Sequence, residues 1–156
     1  MDASNLIPKG TIVKVKMTIK PGGYNDLQMG WTNGYATYNS LTDSVYLNVK
    51  FTVLNGEYSG KYIFGRIGLH SSISEYWSRM GSTFVRSILS SARGVSLFDN
   101  SIQAKSLCTL KSFAELDGIE FLALINVESD NARNVIYRAI TCDHKDYKAL
   151  MEKFKR

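Results

Sequence analysis

Two ten-residue stretches alternate apolar and polar side chains almost without a break, and they restrict this chain more than any other feature. TIVKVKMTIK, residues 11–20, sets Val13, Val15, Met17 and Ile19 against Lys14, Lys16, Thr18 and Lys20. VYLNVKFTVL, residues 45–54, sets Val45, Leu47, Val49, Phe51 and Val53 against Tyr46, Asn48, Lys50 and Thr52. Successive side chains of a strand point to opposite faces, so a period of two predicts two half-buried strands, each with a dry inner face and a polar, lysine-bearing outer one.

Local signals extend this start in both directions. NGEYSG, residues 55–60, is a turn, and KYIFGRIGL, residues 61–69, returns as a third strand in a hairpin with the second. From about Ser72 the period changes to three and four: Ile73, Tyr76, Trp77, Met80, Phe84, Ile88 and Leu89 predict an amphipathic helix closed by Gly94. Trp77, Phe84 and Ile88 are expected in its core face, and Gly81 interrupts its first half. A shorter helix is expected over 101–110, and strands four and five over 118–128 and 135–142, joined by SDNARN. Residues 143–156 read as a C-terminal helix, basic at its end. Between strands one and two, residues 21–41 are rich in glycine and asparagine and carry Tyr24, Trp31, Tyr35 and Tyr38, which predicts a long loop or an irregular hairpin.

The expected class is mainly β with helices (α+β). Three strands, a helix and two strands is the order of the OB-fold, a five-stranded partly open barrel with a helix between strands three and four, here followed by a C-terminal helix. With 156 residues and no repeat, low-complexity tract or linker, residues 1–156 are expected to form one domain.

Charge narrows the partner class. The net +5 is uneven: residues 1–24 carry +3, residues 101–130 carry −3 and residues 131–156 carry +4. A basic surplus at both ends suits a polyanion. No apolar run is long enough for a membrane span, and the N-terminus MDASNLIPKG lacks the apolar centre of a signal peptide, so a cytoplasmic protein without a membrane partner is expected. Cys108 and Cys142 are then expected to be reduced and buried.

Read outward, the first three strands present Lys14, Lys16 and Thr18, then Tyr46, Asn48 and Lys50, then Tyr62, Phe64 and Arg66. Cations interleaved with flat rings suit an unpaired nucleic-acid strand, whose phosphates take Lys and Arg while its bases stack on aromatic faces. Duplex DNA has no use for the rings, because its bases are already stacked. Trp31 and Tyr35 in the long loop, Arg133 near the last turn and Arg138 on strand five are expected as secondary contacts. Against this stand plainer roles: Tyr62 and Phe64 covered by the long loop or the C-terminal helix, Trp31 as a clip holding the loop, and the lysines as a solvated face.

No phosphate loop, nucleophile elbow or paired acid–base set occurs. Glu115, Asp117, Glu120 and Glu128 form an acidic cluster of the kind that holds Mg²⁺ in a nuclease, but without a matching lysine motif. His70 and His144 are isolated, and Cys142, Asp143 and His144 are adjacent rather than spaced for zinc. No catalysis, metal or cofactor is expected.

VKFTVLNGEYSGKYIFGRIGL, with SARGV and SFAELDGIEFLALINVESD further along, resembles a family of phage- and prophage-encoded OB-fold single-stranded DNA-binding proteins, over residues 36–147. The resemblance implies a non-catalytic role coating single-stranded DNA in phage DNA replication or recombination, and it implies Gly56, Gly60 and Gly118 as turn positions; it implies no ligand contacts. Many bacterial single-strand binding proteins end in an acidic tail, whereas this chain ends MEKFKR, a terminus expected to touch DNA or another subunit. RNA as the ligand, a homo-oligomer and docking of replication or recombination proteins stay open. The competing readings are a protein-interaction module docking a replication or virion protein through the aromatic strand face, and a metal-dependent nuclease.

Overall fold

The computed structural model describes residues 6–128, 130 and 132–155. Both alternating stretches are strands: β1 (Ile12–Lys20) and β4 (Ser44–Val53), with the odd-numbered positions buried in each. The other elements are β2 (Tyr24–Asp26), β3 (Trp31–Asn39), β5 (Tyr62–Ser71), α1 (Glu75–Arg93), α2 (Ile102–Leu107), β6 (Glu120–Glu128), β7 (Arg133–Ala139) and α3 (Tyr147–Lys153). The result is mainly β with a few helices, a curled antiparallel sheet forming a half-barrel around α1.

β1 is the spine of that sheet. It pairs with β4 on one side, Met17 opposite Phe51, and with β6 on the other, Val15 opposite Phe121. β5 extends the sheet beyond β4, and β7 extends it beyond β6. Curling brings the outer edges of β5 and β7 close together without pairing them, which leaves a seam.

Residues 21–41 form the irregular hairpin rather than a loop. β2 pairs with β3 at Tyr24–Ala36 and Asp26–Trp31 with a shift between, and β3 joins the end of β4 at Thr37–Tyr46. Positive φ at Gly23, Gly30, Asn33 and Gly34 breaks the alternation, so no regular period marks these strands in the sequence.

α1 begins at Ser74, whose hydroxyl accepts the Trp77 N–H at 3.3 Å, and ends at Gly94 in the left-handed region, as its sequence predicts. Gly81 does not interrupt it. A Cβ there would stand 2.0 Å from the Gly68 carbonyl oxygen, so glycine lets the helix backbone lie directly on β5. Ile88 and Leu89 are fully buried, and the rings of Phe51, Phe84 and Phe121 meet edge-on at 5.9–6.4 Å. Ile73, Tyr76 and Met80, expected on the same apolar face, are instead exposed: Ile73 precedes the Ser74 cap, and the first turns of the helix meet β5 through Trp77 and Gly81.

A second small core lies on the outer face of the sheet. Leu122, Ile140 and Phe154 are buried with Leu150 and Met151 of α3 packed against them. The Tyr147 hydroxyl donates to the Ser91 carbonyl at 2.6 Å, tying α3 to the last turn of α1, and burial raises that phenol's pKa. α2 and α3 are both shorter than the 101–110 and 143–156 spans expected. Cys108 and Cys142 are free thiols, half-buried rather than buried.

Candidate nucleic-acid interface

Strand register decides which outer side chains become neighbours, because residues directly opposite share a face. Across β1, β4 and β5 it sets Lys16, Thr52 and Tyr62 in one row, Thr18, Lys50 and Phe64 in the next, and Lys20, Asn48 and Arg66 in the third. Tyr62 is 57% exposed and Phe64 59% exposed, so neither the hairpin nor α3 covers them. The Lys50 ammonium lies 4.5 Å from the Tyr62 ring centroid, a cation held beside one ring face. Lys16, Lys20 and Arg66 are exposed at the grid's corners. Lys20 belongs to the grid although it was not among the residues singled out from sequence; its place in the alternation of β1 is the signal that marks it.

Other residues singled out from sequence fall elsewhere. Tyr46 is on the outer face yet only 7% exposed: Trp77 meets it edge-on at 6.2 Å, and the Arg66 guanidinium lies 4.5 Å from its centroid. It is a platform that orients Arg66, with no face open to a base. Lys14 is half-buried and paired with Glu120 at 3.7 Å. Trp31 is buried against Tyr24, Ala36 and Val45, the clip that holds the hairpin, and Tyr35 is half-buried against the main core. Tyr38 stacks on Tyr24 at 5.4 Å and donates to Asp43 at 2.9 Å, which raises its pKa.

Arg133 and Arg138 stand across the seam on β7. Arg133 pairs with Glu128 at 3.0 Å, and the Arg138 guanidinium lies 5.9 Å from the ring of Tyr137. Tyr137 is 62% exposed, although in the sequence it lies inside the short apolar run VIYRAITC, which gives no sign of an open ring.

The acidic residues do not converge on a metal. Glu115 pairs with Arg93 at 2.9 Å and accepts the N–H groups of Lys111 and Ser112, and the Arg93 hydrogen bond, then those two, hold its carboxyl below the usual range. Asp117 accepts the Ile19 N–H at 2.9 Å, while Glu120 and Glu128 serve Lys14 and Arg133. Among the described residues, no group of three His, Cys, Asp or Glu is placed to hold a metal ion, and no helix is long and apolar enough to cross a membrane.

No family model, curated protein or solved structure matches this chain. The chemistry of the surface therefore carries the functional reading. Two open rings with cations in the same and adjacent rows offer flat apolar partners and positive charge over one continuous sheet face.

Proposed function

We propose that the chain is a non-catalytic OB-fold module that binds single-stranded DNA with little sequence preference, in phage-type replication or recombination. The strand order β5–β4–β1–β6–β7, with α1 between β5 and β6 in the chain, supports the OB assignment. The observation that carries the function is the grid: the exposed rings of Tyr62 and Phe64 share one sheet face with Lys16, Lys20, Lys50 and Arg66, a combination that suits bases and phosphates of an unpaired strand.

Anisotropy of labelled oligo-dT at two salt concentrations tests it. Binding should saturate at low salt and weaken with a log–log slope of about −0.7 per phosphate contacted. Unlabelled duplex should compete poorly, and competition by RNA reports whether any contact reads the 2′-hydroxyl. No saturable binding at low salt overturns the reading.

One observation favours a protein-docking alternative: Met80 of α1 is half exposed and lines the seam with Phe64 and Arg66, adding apolar surface next to the grid. Under that reading the double substitution Tyr62→Ala with Phe64→Ala abolishes capture of a replication protein and leaves an already negligible oligonucleotide affinity unchanged.

A further inference from the structure

The seam between β5 and β7 is a cleft of about 690 Å³ that opens into the interior of the half-barrel beneath α1. Gly65 makes it. Its neighbours Ile63 and Ile67 point inward and are each 1% exposed, so alternation calls for an inward side chain at 65, and there is none. The backbone does not require glycine here, since its φ is not positive. A Cβ would stand 3.4 Å from Phe51 Cε2 and 3.8 Å from Val49 Cγ2, within ordinary contact. Glycine inside a strand weakens it and marks a place where something else approaches closely.

The rim fits an anion with a flat apolar part. Phe64 on β5 and Tyr137 on β7 stand on opposite lips, both more than half exposed. Arg66, Arg133 and Arg138 surround them. Two carboxylates temper that charge: Glu128, paired with Arg133, and Asp143, which accepts the Leu97 N–H at 3.2 Å. The volume is that of a small-molecule site, roughly 300–1,000 Å³, and too small for a duplex.

We infer that this cleft takes one nucleobase turned out of a bound single strand, its ring among Phe64, Tyr137 and the apolar floor and its phosphates on the arginines. The inference rests on the single-strand reading above. Phe64 and Arg66 belong to both grid and cleft, so a strand lying on the sheet reaches the seam without a break. An acidic peptide without aromatic side chains would satisfy the guanidinium groups but leave the rings of Phe64 and Tyr137 without a flat partner.

The test fills the floor with Gly65→Val and, separately, removes a lip with Tyr137→Ala, an exposed position whose truncation leaves the core intact. Each protein is titrated with labelled oligo-dT and with oligo-dT carrying a single 2-aminopurine. The wild type should change the 2-aminopurine emission on binding; Gly65→Val should lessen that change, leaving the part due to the grid rings, and lose about tenfold in affinity, with its salt slope, set by the cations, unchanged. Tyr137→Ala should lose affinity by a similar factor. Thermal melting establishes that both variants fold, and Tyr137→Ala decides the matter if Gly65→Val does not. Wild-type affinity and emission in both variants overturn the cleft and leave the grid standing. Absence of wild-type binding to oligo-dT overturns the single-strand reading itself. An acidic, phenylalanine-containing peptide that binds wild type but not Gly65→Val, with oligonucleotide binding equal in the two, assigns the cleft to a protein partner instead.

Discussion

Tyr62 and Tyr46 are both outer-face tyrosines on neighbouring strands, and their expected behaviour on truncation is opposite. Tyr62→Ala or Phe64→Ala removes a ring that is more than half exposed, so melting temperature should hold while oligo-dT affinity falls by about 1–3 kcal/mol per ring. Tyr46→Ala empties a buried site between Trp77 and Arg66 and should cost roughly 3 kcal/mol of stability, read from urea unfolding. The cations divide in the same way. Lys16→Ala and Lys20→Ala should each lower the salt slope by about 0.7, whereas Lys14→Ala should leave it nearly unchanged, because Glu120 already engages that ammonium. Gly56, Gly60 and Gly118, the turn positions implied by resemblance, all have positive φ, which a side chain would strain.

Within α1, Gly81 reverses a familiar rule. Glycine to alanine in an exposed helix interior gains about 1 kcal/mol; here the new methyl meets the Gly68 carbonyl at 2.0 Å, and separating helix from strand should cost roughly 1–3 kcal/mol. A lower urea midpoint for Gly81→Ala is the expected result. The turn preceding β6 has its own pH dependence. Arg93 and two backbone N–H groups lower the folded pKa of Glu115, so its contribution to stability is full above the unfolded value of about 4.3 and is lost as pH falls through the folded one. Melting temperature should therefore drop on acidification below that value, and Glu115→Gln should drop less steeply from a lower starting point.

At the scale of the molecule, one sheet has two kinds of outer face. α3 covers β6 at Leu122, while nothing among the described residues covers β5 at Tyr62 and Phe64. Emptying the covered part with Phe154→Ala should destabilise the fold by roughly 3–5 kcal/mol without changing the salt slope of binding, since no cation of the grid touches that core. Duplex DNA should compete poorly, because only a strand with free bases can use rings that project from a continuous sheet.

Alternation alone determined β1, β4 and their inner faces, since a period of two admits no other half-buried element. The helical period and Gly94 determined α1 and its end. Tertiary structure decided what alternation cannot encode: which outward side chains another element covers. Tyr46 and Tyr62 both read as outward, Leu122 shares their face through its pairing with Lys14, and only the paths of α1 and α3 separate a buried platform, an open ring and a second core. The seam is likewise a product of curling, for it arises between two strands far apart in the chain, and neither local sequence contains the other.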